Sequence, residues 1–184
     1  MVVLPAFILL IALTAGASMP VTSSESSAPS KLLAPGTDAP ACRLNGTNGT
    51  AWDFPAAGQW NIIVYWSLFC HSCLEEIPEI QHRLASMTDV KAFFVSLDTE
   101  KMLKALQNYC NKRELKLPVL MEQVASDTWV TADQYGVVST PAVFIVAPDG
   151  KVAYSHEGPM DLDQFFAGFA AMVASSTTKP AIER

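Results

Sequence analysis

Basic residues are scarce in this chain and missing from its beginning. The first is Lys31, and twelve Lys and Arg face eighteen Asp and Glu. A formal net charge of −6 with no cationic run excludes the electrostatic footprint of a nucleic-acid-binding protein, and it offers nothing to an anionic membrane surface. Charge of either sign is absent from Met1 to Ala17, yet this apolar run is shorter than the roughly 20 residues that cross a bilayer securely. Cysteine is rare, with four residues at Cys42, Cys70, Cys73 and Cys110. Only Cys70 and Cys73 are closely spaced, so a zinc site built from two close pairs is not available. Residue 74 is Leu, which excludes the Cys-x-x-Cys-His pattern of haem attachment. There is no internal repeat.

What is present at the start resembles a targeting segment. Small residues end the apolar run, and Ala15-Gly16-Ala17 fits the A-x-A pattern of a signal-peptidase site. Because no basic n-region precedes it, three readings stay open for residues 1–17: a cleaved signal peptide, an uncleaved membrane anchor, or a buried apolar element. The first two lead out of the cytoplasm. No Cys follows the run, so lipoprotein modification is not indicated. Residues 18–38 are dominated by Ser, Pro, Thr and Ala, a composition that buries too little apolar surface to offset its chain entropy. They are expected to form a flexible linker, with one folded domain over residues 39–174 and a frayed tail over 175–184.

Within the domain, Asn61 to Trp66 and Val90 to Leu97 are apolar, β-branched and aromatic, the signature of buried strands. Pro141 to Ala147 is a third such run. Pro148-Asp-Gly150 then makes a turn, so that residues 151–156 return as the second strand of a hairpin. Helical periodicity runs from Leu74 to about Ser86, from Thr99 to about Arg113 and from Asp161 to Ala174. Asp127 to Tyr135 is expected as a helix stopped by Gly136, with Trp129 and Tyr135 packing from one face. Pro118 to Met121 reads as a short edge segment. Asn45-Gly-Thr47 and Asn48-Gly-Thr50 match a glycosylation pattern, but hairpin turns are the better reading. Strands separated by helices, closed by a hairpin, indicate an α/β fold with helices on both faces of the sheet.

The chemistry resides in Cys70-His71-Ser72-Cys73, which lies between a buried strand and a helix. That junction places Cys70 just ahead of the helix and Cys73 in its first turn. Unpaired backbone N–H groups and the positive end of the helix dipole then stabilise a thiolate on Cys70. Cys73 is better placed to resolve a mixed disulfide than to start one. A metal site or a purely structural disulfide are the competing readings, and His71 is expected to point to solvent.

The segment Phe69-Cys-His-Ser-Cys-Leu-Glu-Glu-Ile-Pro78 resembles the active-site segment of the TlpA/ResA-like branch of the thioredoxin superfamily. Trp66 matches the aromatic residue ahead of the motif, and Pro78 the proline that kinks the first helix. Ser139-Thr140-Pro141 resembles the cis-proline loop that faces the disulfide. The resemblance runs from about Ala39 to Gly158 and implies a thioredoxin-like fold, a central mixed sheet flanked by helices. It also implies a thiol–disulfide oxidoreductase outside the cytoplasm. Its substrates would be protein thiols and disulfides, including apocytochrome c in cytochrome c maturation, and a membrane redox partner would supply electrons. No cofactor beyond the redox-active disulfide Cys70–Cys73 is expected. Cytoplasmic thioredoxin has a buried Asp where this chain has Val64; Glu76 instead stands where the ResA-like branch has its active-site Glu. A carboxylate there takes and returns the proton of Cys73. Phe69, His71, Ser72, Thr140 and Pro141 are the expected groove residues, with Met160 either beside them or in the core. Phe69 replaces the usual Trp, and His71-Ser72 replaces a Pro-containing pair, so a protonated His71 would favour the Cys70 thiolate and stronger oxidising power. Cys42 and Cys110 read as buried small hydrophobes that could pair in a second disulfide. Two alternatives come from other classes. A peroxiredoxin-like thiol peroxidase would need a P-x-x-x-T-x-x-C setting, which is missing before Cys70; a copper-binding metallochaperone would use Cys70, Cys73 and His71.

Overall fold

A computed structural model describes residues 31–177. The expected leader and most of the linker therefore lie outside the described residues, as do residues 178–184. Among the described residues nine strands form in chain order: β1 (Cys42–Gly46), β2 (Ala51–Phe54), β3 (Trp60–Trp66), β4 (Val90–Ser96), β5 (Val119–Met121), β6 (Val124–Ala125), β7 (Thr128–Trp129), β8 (Ala142–Val146) and β9 (Val152–Glu157). Four helices are interleaved with them: α1 (His71–Leu84), α2 (Leu103–Lys112), α3 (Ala132–Tyr135) and α4 (Leu162–Thr177), with a 3-10 turn at Glu100–Met102 leading into α2. Seven strands make one mixed sheet in the order β2-β1-β5-β4-β3-β8-β9. β3, β4 and β5 run parallel, while β8 lies antiparallel to β3, with Tyr65 opposite Ala142.

The central strand shows why an unbroken apolar run reads as buried on both sides. Side chains alternate along a strand. Ile62, Val64 and Trp66 enter a core beneath α1, α2 and α4, and Ile63 and Tyr65 enter a second core beneath α3. Phe165, Phe166 and Phe169 of α4 close the first core, as their spacing foretold. Each fully buried side chain of this size contributes about 1.5–3 kcal/mol.

Several expectations are corrected. Pro118 to Met121 is not an edge: β5 lies between β1 and β4, because the β1–β2 hairpin docks outside it. Residues 127–135 are not one helix. β6 and β7 form a small hairpin whose turn holds Ser126 and Asp127 at φ 51° and 64°, so Trp129 is a strand residue and only Ala132–Tyr135 is helical. Gly136 does stop α3, at φ 71°. Of the two Asn-Gly pairs, Asn48-Gly49 makes the turn between β1 and β2, while Asn45-Gly46 lies in β1. Order also begins before residue 39. Leu32 is buried, Leu33 N donates to Tyr135 O at 3.1 Å and Gly36 N to Val152 O at 2.8 Å, and Asp38 pairs with Lys151 at 2.7 Å. At the other end, α4 extends to Thr177 rather than stopping at Ala174. No helix among the described residues is long and apolar enough to cross a membrane.

Candidate active site at the Cys70–Cys73 disulfide

β3 ends at Trp66, and four residues later Cys70 caps the N-terminus of α1. Its backbone is extended, at φ −93° and ψ 106°, and its sulfur accepts a hydrogen bond from Cys73 N at 3.3 Å. The first turn of α1 contains no acidic side chain, so nothing there neutralises the positive end of the helix. Cys70 and Cys73 form a disulfide with Cα atoms 5.3 Å apart. Cys70 is partly exposed and Cys73 is fully buried. Only one of the two sulfurs faces an incoming thiol.

Pro78 lies inside α1 and carries no N–H for the carbonyl four residues back, Leu74 O. That carbonyl accepts instead from the Tyr109 hydroxyl of α2, at 3.1 Å. The ring of Tyr109 stands 5.4 Å from that of Trp66, so α1, α2 and the end of β3 are joined just behind the disulfide.

The cis Thr140-Pro141 peptide lies at the start of β8, as the resemblance implied. Ser139 and Thr140 line an open cavity of about 630 Å³ together with Ser67, Phe69, Cys70, His71 and Ser72. Four of the five expected groove residues thus meet around the disulfide, while the fifth, Pro141, is buried behind Thr140. Phe69 is 81% exposed and forms an apolar lip. Glu157 Oε1, at the end of β9, accepts from Ser139 N at 2.8 Å and holds the loop.

His71 points outward and faces Glu75, with Nε2 3.4 Å from Oε1. Ser72 Oγ lies 3.6 Å from Cys70 Sγ. Glu76 sits one helical turn beyond Cys73. It is half-buried, its Oε1 accepts from Met160 N at 3.1 Å, and its Oε2 is buried without a hydrogen-bond partner among the described residues. Burial pushes its carboxyl above the ordinary range, against the opposing effects of the Met160 N–H and of His156. Met160 does not reach the disulfide groove; it lines a separate cavity of about 300 Å³ with Tyr154, His156 and Phe165.

Cys42 and Cys110 are both buried and free, and they belong to cores on opposite faces of the sheet, which removes the second disulfide. Sequence reasoning missed Asp98 altogether. This carboxylate is 3% exposed and accepts from Ser67 Oγ at 2.9 Å, Leu68 N at 2.9 Å and Ser96 Oγ at 2.7 Å, next to the redox turn.

The chain as a whole has counterparts among known proteins. The model of the AhpC/TSA family matches residues 35–155. The chain belongs to that family. This AhpC/TSA member is 25% identical over 129 residues to the thiol-disulfide oxidoreductase ResA of Bacillus subtilis, covering 70% of each chain. ResA of Bacillus thuringiensis subsp. konkukian is 24% identical over 121 residues; the match covers 66% of the chain and 66% of that relative's length. Among solved structures, a putative thiol:disulfide interchange protein DsbE from Chlorobium tepidum superposes with a TM-score of 0.62 at 20% identity, covering 77% of the chain and 98% of that structure. The fold is thioredoxin-like, a mixed sheet flanked by helices.

Proposed function

We propose that this protein is a thiol–disulfide oxidoreductase that exchanges disulfides with protein substrates outside the cytoplasm. One observation carries the reading: a partly exposed Cys70 caps α1 and is bonded to a fully buried Cys73 across from the cis-proline loop. The relatives named thiol-disulfide oxidoreductase support it.

In the reducing direction, the Cys70 thiolate attacks a substrate disulfide. A Cys70–substrate bond forms, and the first substrate sulfur leaves as a thiolate that takes a proton from water. Cys73 then gives its proton to Glu76 and attacks Cys70, releasing the second substrate sulfur. The Cys70–Cys73 disulfide remains, and two electrons have passed to the substrate. Glu76 suits this exchange because Cys73 and Glu76 are three residues apart on one helix face, and because burial makes its carboxylate a readier proton acceptor. The groove of Phe69, His71, Ser72 and Thr140 receives the substrate segment, alongside Pro141.

The charge-free apolar residues 1–17 support placement outside the cytoplasm, either secreted or held at the membrane by that segment. A membrane redox partner regenerates the dithiol there, and the TlpA/ResA-like resemblance extends the substrates to the cysteine pair of apocytochrome c.

The test is reduction of insulin disulfides by wild type, Cys70→Ser and Cys73→Ser, with peroxide consumption measured in parallel. Wild type reduces insulin, Cys70→Ser is inactive, and Cys73→Ser accumulates a mixed disulfide through Cys70. Peroxide turnover without insulin reduction overturns the reading in favour of a thiol peroxidase.

A further inference from the structure

We infer that Asp98 is a positioning residue that holds the redox turn in the conformation from which Cys70 reacts; this rests on the reading of Cys70–Cys73 as the redox pair. A carboxylate is seldom buried unless its oxygens are occupied, and here both are. Oδ1 takes the Ser67 hydroxyl, and Oδ2 takes Leu68 N and the Ser96 hydroxyl. The Ser96 hydroxyl in turn accepts from Asp98 N at 3.2 Å, which fixes the carboxylate's own backbone.

The partners explain the purpose. Ser67 and Leu68 are the first two residues after β3, and Cys70 follows two residues later. Ser67 Oγ also accepts from Phe69 N at 3.1 Å, and Ser67 O accepts from Cys70 N at 3.1 Å. Every backbone N–H from Leu68 to Cys70 is thus bound either by Asp98 or by the serine that Asp98 holds. Leu97 N donates to Trp66 O at 2.8 Å, so β4 carries the anchor at a fixed register beside β3. The extended backbone of Cys70, which places its sulfur over the helix N-terminus, is the end of this chain of contacts. Ser96 and Ser67 supply only neutral hydroxyls; Asp98 is the one ionisable side chain bonded to the turn among the described residues.

The chemistry of the conservative variant makes the inference testable. In Asp98→Asn the amide oxygen can accept from Leu68 N and Ser96, while its NH₂ donates to Ser67 Oγ, which has a lone pair to spare. Asp98→Ala leaves all three donors without a partner. The readout is the rate at which iodoacetamide alkylates Cys70 in the reduced protein at neutral pH, identified by mass spectrometry. It reports thiolate formation whether or not the protein turns over any substrate.

Asp98→Ala is expected to slow alkylation about tenfold, as the thiolate loses its aligned helix terminus, while Asp98→Asn stays within about threefold of wild type. Asn61→Ala serves as a stability control. Asn61 is buried at the far end of β3 and bonds Ala56 and Gln59, so its loss lowers the melting temperature without slowing alkylation. The inference is overturned if folded Asp98→Ala alkylates at the wild-type rate. It is equally overturned if Asn fails to rescue, or if Asn61→Ala slows Cys70 as much as Asp98→Ala does. Failure of insulin reduction alongside the expected alkylation pattern would instead overturn the oxidoreductase reading alone.

Discussion

The backbone N–H of Met160 donates to Glu76 Oε1 at 3.1 Å, which ties α1 to the loop ahead of α4 and leaves Glu76 Oε2 buried with no partner among the described residues. The carboxyl is thus fixed in place but incompletely solvated. Its burial raises the folded-state pKa above the ordinary carboxylate value.

The sign of the resulting pH dependence follows. The folded state holds this proton more tightly than the unfolded state, so stability falls as pH rises from the ordinary carboxylate value through the raised one. Glu76→Gln is expected to unfold at a higher temperature than wild type at neutral pH, with the difference vanishing below about pH 4. Its insulin reductase activity is expected to fall about tenfold or more, as lost proton transfer commonly does. Melting curves at the two pH values check the first expectation; equal differences at both would refute it.

His71 and Glu75 form an exposed pair near Cys70, in which the Glu75 carboxylate offsets any charge on the imidazole. The tuning expected of His71 is accordingly small. His71→Ala should shift the equilibrium with glutathione toward the disulfide by no more than about fivefold. A shift of a hundredfold, or one toward the dithiol, contradicts this.

Burial pushes the Cys42 and Cys110 thiols up to about 11, with Glu122 adding to the effect at Cys42. In the oxidised native protein neither should react with iodoacetamide over a period that labels a small free thiol completely. Unfolding without reductant should then give two alkyl groups by mass. Fewer than two would restore the second disulfide.

At Gly136 the backbone has φ 71°, and a Cβ there would lie 1.9 Å from Lys31 O. Gly136→Ala therefore combines a disfavoured conformation with a backbone clash, and should cost about 2–4 kcal/mol. Urea unfolding measures it; an unchanged midpoint rules out the close packing of residues 31–33 on α3 in solution.

What was legible in the sequence was whatever short-range pattern specifies. The apolar runs of β3, β4 and β8 announce burial on both faces, and the place of Cys70 between a strand and a helix announces its cap. The cis bond at Pro141 was legible only through the resemblance, since most X–Pro bonds are trans. The place of β5 in the sheet was hidden because it depends on where β1 docks, a contact between residues far apart in the chain. The β6–β7 turn was hidden because Ser126 and Asp127 occupy a backbone region that the sequence would advertise with Gly. Asp98 was hidden for a different reason. An Asp following a strand and preceding a helix reads as an ordinary cap, and nothing local reveals that its partners are Ser67 and Leu68, some thirty residues earlier.

The separation of the two free cysteines has a consequence for how electrons are routed. A protein that shuttles disulfides carries its own worst competitor wherever it exposes a spare sulfur, because an idle thiol can capture the working bond and strand it. Here the spare sulfurs lie on opposite sides of the sheet and are kept protonated by burial. The molecule therefore has a single electrical terminal, at Cys70, and the four cysteines behave as one circuit of two with two insulated bystanders.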